Sequence, residues 1–321
     1  MNIHNKGEKN LINRQKRKSR LISDWKAIVR DRQLYLILIP FALYYIVFVY
    51  KPMPSLVIAF KDYNVYEGII DSPWVGLKHF QDFFNGPYFF RLLKNTLLLG
   101  FYSLAVGFPS SIILALLLNE VTNKRFKGAI QTITYLPHFI SVVVVAGMVT
   151  SFLAPGNGII NILIEKMGGE KVYFLSKPEY FRTIYTLMGV WTSIGYGSIV
   201  YLSALSGIDM QLYEAAKIDG AGKWKQLLHV TLPGLLPTIV TMFIIRIGGI
   251  LNVSYESIIL LYQPATYETA DVFNSYVYRL GIEETNYSLS AAVSMFNSVI
   301  GFILVVIANK ISKKVNDVGL W

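Results

Sequence analysis

Six long apolar runs constrain this 321-residue chain more than any other feature of its sequence. A helix needs about 20 apolar residues to cross the hydrocarbon core of a bilayer, and each run approaches or exceeds that length. Only 16% of the residues are charged, whereas about 25% are charged in soluble domains. The sequence therefore predicts an all-α integral membrane protein with six transmembrane helices. The runs cover residues 34–50, 95–118, 130–153, 183–205, 235–261 and 289–308.

A polar segment between the fourth and fifth runs carries helix start and stop signals. Asp209 is a good N-cap, because its carboxylate can accept hydrogen bonds from free N–H groups of the first turn. Residues 210–219 are rich in helix formers, and Gly220 and Gly222 favour a helix end through their tolerance of positive φ. A second short helix is expected over residues 223–230. The pattern predicts a rigid helix–turn–helix that either docks into another protein or rests on lipid.

Lysine and arginine are distributed unevenly among the segments between the runs. Ten of the 30 lie in residues 1–32, directly before the first run. Counted over alternate segments, 19 lie on the side that includes both termini and the central polar segment. Because basic residues accumulate on the cytoplasmic side, both termini and the central segment are predicted to be cytoplasmic. The basic N-terminal region could bind nucleic acid, but the run that follows it favours an anchor on anionic lipid instead.

The sequence lacks the patterns of common catalytic and metal sites. It contains no cysteine, and its four histidines are scattered without the spacing of metal ligands. Gly222-Lys223 imitates the end of a phosphate-binding loop, but Lys217 occupies the place of that motif's first glycine. We therefore expect no catalytic residue, no metal site and no bound cofactor in this chain, so energy for transport must come from a separate subunit.

Polar residues within the runs are candidates for a transport pathway, because an ionisable residue at the centre of a span costs about 2.5–3.5 kcal/mol. Arg246 lies near the middle of the fifth run, and Asn252 and Glu256 follow four residues apart, on one helix face. These residues either line a cavity for a polar solute such as a sugar or act as structural partners. Trp191 and Tyr196 either stack on a sugar ring or belong to the core or the interface belt.

The central segment resembles the EAA loop of binding-protein-dependent ABC importer permeases. The matching residues are Glu214-Ala215-Ala216, Gly220 and Val230-x-Leu232-Pro233, with Val230 where the family usually has isoleucine. In that family the loop is a coupling helix that sits in a cleft of the ATPase subunit, and the resemblance implies the same role here. The implied coupling residues are Glu214, Ala215, Ala216, Asp219, Gly220, Ala221, Gly222 and Pro233.

The resemblance extends over most of the chain. Residues 95–309 are laid out like the type I importer permease core, with five helices and the coupling loop between the third and the fourth. Residues 255–264, 271–281 and the tail from 309 to 321 are similar to the oligosaccharide-uptake branch, which includes lipoprotein-linked polysaccharide permeases and alginate importer permeases. The implied regions are a cytoplasmic N-terminal tail (1–32), a first transmembrane helix with an external segment (33–91), the transmembrane core (92–310) with its coupling loop (206–233), and a cytoplasmic C-terminal tail (311–321).

The same resemblance implies the function. The chain is expected to be the permease subunit of an ATP-driven oligosaccharide importer in the bacterial cell membrane, forming half of the translocation pathway. The implied partners are a second similar permease, ATPase subunits that hold ATP and magnesium, and an extracellular solute-binding protein. An ion-driven secondary transporter would require paired acids in the spans and inverted repeats, and neither is visible. A membrane scaffold or receptor would leave Arg246 and Glu256 unexplained.

Overall fold

The computed structural model describes residues 30–316, with side chains described as far as Lys314. Most of the predicted N-terminal tail and the last part of the predicted C-terminal tail therefore lie outside the described residues. Residues 30–316 form helices joined by turns, and the β-type pairing found among them is an isolated bridge between Lys61 and Trp74. The all-α architecture predicted from the apolar runs is confirmed.

The chain divides into two compact units after residue 57. The first unit contains helix α1 (Arg32–Tyr45), which passes into a π-helical turn at Ile46–Tyr50. None of the α1 residues is buried, and apolar side chains such as Leu36 expose 63% of their surface. A helix that presents apolar residues all round its surface suits a lipid environment, as predicted for the first run.

The second unit contains the remaining helices. They are α2 (Gly68–Asp71), α3 (Lys78–Asn85), α4 (Phe89–Glu120), α5 (Lys124–Tyr135), α6 (Val142–Leu153), α7 (Ile159–Lys166), α8 (Pro178–Ser206), α9 (Met210–Ile218), α10 (Lys223–Gly248), α11 (Tyr255–Leu261), α12 (Tyr267–Ala270), α13 (Phe273–Tyr278) and α14 (Tyr287–Asn316). Helix α4 includes a π-helical turn at Ser103–Gly107, and α10 includes another at Leu227–Thr231. A 3₁₀ turn at Leu136–Phe139 follows α5.

Helix α8 lies at the centre of the second unit, where it packs against α4, α5, α10 and α12. Any side chain at Gly195 would collide with the carbonyl oxygen of Thr134, so this glycine permits the close approach of α8 and α5. Burying a large apolar side chain stabilises a fold by about 1.5–3 kcal/mol, and α8 contributes several. Its buried apolar residues are Phe181, Tyr185, Met188, Tyr201 and Leu205.

A cluster of aromatic rings joins the short helix α3 to α13 and α14. Phe83 is buried, and its ring centroid lies 5.2 Å from that of Phe89, 6.0 Å from that of Phe273 and 5.7 Å from that of Phe296. Most of these pairs are edge-to-face, the arrangement that the ring quadrupole favours. The aromatic residues at the start of the second unit therefore cover one end of the helical core.

Length and hydropathy identify four described helices able to cross a membrane, over Arg32–Phe60, Phe89–Glu120, Lys223–Gly248 and Tyr287–Lys314. The pair α5 and α6 is a fifth candidate, although its two halves are bent by 102°. Helix α8 is 29 residues long, which is sufficient for a span, but its serine, threonine, tyrosine and glycine residues make it less apolar. The polar character of α8 is consistent with its central position, since it packs against protein on several sides.

The third apolar run, predicted as one transmembrane helix, consists of two helices with a bend of 102° between them. Pro137 lies in the 3₁₀ turn after α5, where its missing N–H does not interrupt a regular helix. Ile140 and Ser141 then have extended backbone angles, with ψ of 134° and 138°, and α6 begins at Val142. The extended residues turn the chain through the 102° bend.

The bounds predicted for the fifth apolar run are also wrong. Helix α10 begins at Lys223, so the predicted second short helix is the start of this longer helix. It ends at Gly248, and residues 249–254 form a turn before α11. A side chain at Gly248 would collide with Val305 of α14, so the glycine pair that ends α10 also permits close packing. Hydropathy alone does not detect the end of α10 at Gly248, because the residues on both sides of the turn remain apolar.

Candidate functional site

The central loop has the local geometry that its sequence predicts. The Asp209 carboxylate accepts a hydrogen bond of 2.9 Å from the backbone N–H of Gln211 at the start of α9. Gly220 has φ of +73°, and the N–H of Ala221 donates to the carbonyl of Ala216 at 2.8 Å. The Gly220 N–H donates to the Lys217 carbonyl at 3.0 Å, which completes a Schellman motif. The first helix of the loop therefore begins and ends as predicted.

Most of the predicted coupling residues lie on an exposed surface. Glu214, Ala215, Asp219, Gly220 and Gly222 are exposed, while Ala216 and Ala221 are half-buried. Pro233, the last residue of the loop, is exposed on α10. Large apolar side chains also face outwards here, and Ile218 and Trp224 expose 86% and 77% of their surfaces. Such apolar residues beside exposed charges are typical of a surface that another protein covers.

Side-chain hydrogen bonds that sequence reasoning missed hold the two arms of the loop together. The buried Gln226 amide donates to the Ala221 carbonyl at 2.8 Å, and the Tyr213 and Thr231 hydroxyls lie 3.0 Å apart. The Lys223 ammonium lies 2.7 Å from the Glu120 carboxylate at the end of α4, although both side chains are exposed. Exposed ion pairs contribute little to stability, so the hydrogen bond of the buried Gln226 side chain stabilises the loop more than the Lys223–Glu120 ion pair does.

Replacing Gln226 with alanine is expected to loosen the turn without unfolding the helices. A buried carbonyl would lose its partner, at a cost of about 1–3 kcal/mol. Hydrogen exchange measured by mass spectrometry should speed up at the amides of residues 219–223 by about tenfold or more. Lys225→Ala, which removes an exposed neighbour, serves as the control and should leave exchange unchanged. Equal exchange in the Gln226→Ala variant and the wild type would contradict the bracing role.

A cavity of about 470 Å³ lies among α4, the break between α5 and α6, α8, and the turn that follows α10. Aliphatic side chains and backbone form much of its wall. Its polar lining residues are Ser103, His138, Tyr185, Thr186, Thr192, Ser193, Arg246, Asn252, Ser254 and Ser257. A small number of polar groups on a mostly apolar wall is typical of a small-molecule site.

The structure brings only some of the predicted pathway residues to this cavity. Arg246 and Asn252 line it. Tyr196 stacks on the cavity residue His138, with ring centroids 4.0 Å apart and planes inclined by 5°. Trp191 and Glu256 are exposed and do not belong to the lining.

Two positional predictions for these residues are wrong. Arg246 lies two residues before the end of α10 and not near the middle of a span. Asn252 lies in the turn after α10, whereas Glu256 belongs to the first turn of α11, so the two share no helix face. The cause is the chain break that follows Gly248, which a four-residue spacing cannot reveal.

The turn that carries Asn252 is held in place by α4 and α8. The backbone N–H of Ser254 donates to the Tyr185 hydroxyl at 3.2 Å. A side chain at Gly100 would collide with the Ile250 carbonyl oxygen, so α4 approaches the turn closely at this glycine. Irregular backbone at membrane depth is tolerated where it lines a cavity or is buried in protein, and both conditions apply to this turn.

A buried carboxylate lies on the side of this core where α4 and α8 begin. Asp271 is fully buried, and its carboxylate accepts hydrogen bonds from Arg279 at 2.7 Å, from Arg91 at 3.1 Å and from Ser275 at 2.7 Å. Burial alone would lower the pKa of Arg279, but the hydrogen bond and charge of Asp271 raise that pKa above its usual value. The cluster is therefore a charged clamp between α4 and the α12–α13 segment.

Asn95 extends this clamp to α8. Its amide donates to the carbonyls of Glu268 and Asp271 at 2.9 and 3.0 Å, and its own carbonyl accepts from Arg182 at 2.9 Å. Asn95 is fully buried, so these bonds satisfy an amide that would otherwise be costly to bury. Sequence reasoning noted Asp271 and Arg279 only as part of the segment 271–281 and did not link them to each other or to Asn95.

These features are those of a membrane protein with a cavity that carries several polar groups and with an exposed loop between two of its long helices. A family profile described as "Binding-protein-dependent transport system inner membrane component" matches residues 107–317, and the chain belongs to that family. It is therefore the permease of an ABC importer and not an enzyme. No group of three or more acidic, histidine or cysteine side chains that could hold a metal occurs among residues 30–316.

Similar proteins extend the match to nearly the whole chain. The polygalacturonan/rhamnogalacturonan transport system permease protein YteP of Bacillus subtilis (strain 168) is 43% identical, covering 97% of this chain and 96% of YteP. A crystal structure of a bacterial ABC transporter involved in the import of the acidic polysaccharide alginate contains a chain that is 46% identical. That match covers 91% of this chain and 99% of the other, with a TM-score of 0.84.

A second structure shows a bacterial alginate ABC transporter in complex with alginate pentasaccharide-bound periplasmic protein. The matching chain is 45% identical, with a TM-score of 0.85, and the match covers 92% of this chain and 99% of that one. The type I ABC importer permease fold predicted from the sequence is confirmed by these likenesses.

Proposed function

We propose that this chain forms half of the translocation pathway of an ATP-driven, binding-protein-dependent importer of oligosaccharides. The observation that carries the proposal is the cavity, whose hydroxyl, amide and guanidinium groups match the hydroxyl-rich surface of a sugar. The relatives are a polygalacturonan/rhamnogalacturonan permease and alginate importers, which supports the same class of substrate. A second, similar permease would supply the other half of the pathway.

The predicted pathway residues have different roles in this proposal. Arg246 and Asn252 contact the sugar from within the cavity, and Tyr196 supports the cavity through its stack on His138. Trp191 and Glu256 lie outside the cavity lining of this chain, so any part they have in transport involves the second permease.

The exposed loop from residue 206 to 233 is proposed to transmit the ATPase cycle to the helices. Its first helix is short and rigidly capped, and Gln226 ties the turn to the start of α10. Because α10 continues without a break from Lys223 to Gly248, a push on the loop reaches Arg246 at the cavity through one helix. ATP and magnesium are held by the partner ATPase subunits in this proposal, which implies rocking between inward-open and outward-open states.

Reconstitution provides the direct test of this function. The permease pair, the ATPase and the solute-binding protein are placed in proteoliposomes, and uptake of a labelled tetragalacturonate is measured with and without ATP. The proposal predicts uptake that requires both ATP and the binding protein. Uptake driven by an ion gradient without ATP would instead support a secondary transporter and overturn the proposal.

We further propose six membrane spans with both termini in the cytoplasm. Helix α1, α4, the bent pair α5–α6, α8, α10 and α14 are the six proposed spans, with residues 1–32 and 311–321 as cytoplasmic tails. The external segment follows the first helix up to residue 91, and the core covers residues 92–310. The distribution of lysine and arginine supports this orientation.

Cysteine labelling is expected to report this topology cleanly, because the natural chain contains no cysteine. Ile218→Cys in the loop and Ile282→Cys before α14 both replace exposed side chains. A membrane-impermeant maleimide should label Ile282→Cys in cells whose outer surface is accessible, and Ile218→Cys only in inside-out vesicles. Labelling of Ile218→Cys from outside would contradict the proposed orientation.

A further inference from the structure

The guanidinium of Arg246 is exceptional among the arginines around the helical core. Arg91 and Arg279 pair with the Asp271 carboxylate, and Arg182 donates to the Asn95 side chain. Arg246 lines the cavity, yet its guanidinium forms no ion pair and no hydrogen bond with any residue between positions 30 and 316. Among residues 30–316, the fold therefore provides hydrogen-bond partners for the other three arginines and none for this one.

The Arg246 side chain is exposed in this chain, so a ligand in the cavity can reach its charge. Arginine is a fixed cation, so Arg246 brings one positive charge to the cavity. The remaining ionisable lining groups are His138 and Tyr185, and no aspartate or glutamate belongs to the lining. The cavity consequently carries a positive charge that the described part of the chain does not balance.

The chemistry of arginine specifies what would balance that charge. A guanidinium presents a planar fork of donors that matches the two oxygens of a carboxylate, and the resulting charge-assisted bonds are among the stronger ones in proteins. Neutral sugars offer hydroxyls, which the serine, threonine and Asn252 side chains of the same cavity already suit. A fixed cation beside hydroxyl-binding groups fits a sugar that carries both hydroxyls and a carboxylate.

We propose that Arg246 binds a carboxylate of the transported saccharide, which makes this permease selective for acidic oligosaccharides built from uronic acids. The inference rests on the proposed function, since it assigns the substrate class of the same cavity. It also explains why an arginine occurs at the cavity end of α10, the helix that the coupling loop moves. The carboxylate would occupy a place that no side chain of residues 30–316 fills.

The test compares two tetrasaccharides in proteoliposomes that contain the complete transporter and its binding protein. One is α-1,4-linked tetragalacturonate, and the other is the same sugar with its carboxylates reduced to alcohols. Arg246→Gln should slow uptake of the acidic sugar by about 10- to 100-fold, the range expected for loss of a charged hydrogen bond. Uptake of the reduced sugar relative to wild type should change by less than about threefold. Because each ratio uses the same binding protein, that protein's own preference cancels.

Two further variants complete the design. Arg246→Lys retains the charge without the planar fork and should recover part of the acidic uptake. Arg125→Gln makes the same substitution at an exposed residue in the first turn of α5 and should transport both sugars like the wild type. If the wild type accepts only the acidic sugar, recovery by Arg246→Lys supports the inference, and equal loss in both variants refutes it.

The outcomes separate this inference from the proposed function. If Arg246→Gln slows both sugars equally, or slows neither, Arg246 has a structural role or none and the carboxylate assignment is wrong. If the wild-type transporter takes up neither sugar in an ATP-dependent manner, the oligosaccharide function itself fails, whatever the variants show.

Discussion

Replacing Gly220 with leucine is expected to reduce ATP-dependent uptake by at least 100-fold while the protein still inserts and folds. Gly220 has φ of +73°, and the space around its missing side chain is open for 4 Å. An ordinary residue in this conformation costs only about 1–2 kcal/mol, so the loop survives. The new side chain would project from the surface proposed to dock into the ATPase and prevent its close approach. Uptake, ATPase activity and the amount of assembled complex are measured together.

Gly168→Leu is the matched control for this experiment. Gly168 has φ of +84° and also has nothing within 4 Å of its missing side chain, so the backbone strain is comparable. It follows α7 on the side that the orientation proposal places outside the cell. This variant should transport at close to the wild-type rate. Comparable losses in both variants would show that strain, and not blocked docking, causes the defect.

Replacing Asp271 with asparagine is expected to destabilise the protein by about 3–5 kcal/mol, because it leaves two partly buried arginines without their shared carboxylate. Arg279 exposes 15% of its side chain and Arg91 29%, so water can restore only part of the lost interaction. The midpoint of thermal unfolding in detergent should fall by about 5–15 °C. The variant should also reach the membrane in smaller amounts, since α4 is no longer clamped to α13.

Two companion variants distinguish the clamp from a general effect of losing an acid. Glu268→Gln neutralises an exposed carboxylate three residues away and should leave the unfolding midpoint within about 1 °C of the wild type. The double variant Asp271→Asn/Arg279→Gln also removes the Arg279 guanidinium, which the single variant leaves without its carboxylate, and should recover part of the lost stability. A double variant less stable than Asp271→Asn alone would show that the ion pairs are not the source of the effect.

Local signals in the sequence were sufficient for the coupling loop. Asp209, the helix formers after it and Gly220 act within a few residues of one another, so their pattern predicts the capped helix and its Schellman end. The same reasoning failed at the fifth run, where apolar residues continue through the turn after Gly248. Hydropathy reports that a segment is buried or in lipid, and it does not report whether its backbone remains helical.

The charged clamp and the cavity depend on contacts between distant positions. Arg91 and Asp271 are 180 residues apart, and Arg182 and Asn95 are 87 apart. No periodicity or spacing within one helix encodes such pairs. The cavity likewise needs α4, α8 and the turn after α10 to meet, and that meeting depends on glycine contacts such as Gly100 against Ile250. Sequence reasoning could nominate Arg246 for its charge, but only the fold shows that no side chain of residues 30–316 forms an ion pair with it.

Site-specific photocrosslinking from the loop tests the central claim most directly. A benzophenone amino acid is introduced at Ala215, which is exposed, and the assembled transporter is irradiated and analysed by mass spectrometry. The account predicts a covalent adduct between residue 215 and the ATPase subunit, and no such adduct from the same probe at Gly168. Adducts of residue 215 with lipid alone, or with the extracellular binding protein, would contradict it.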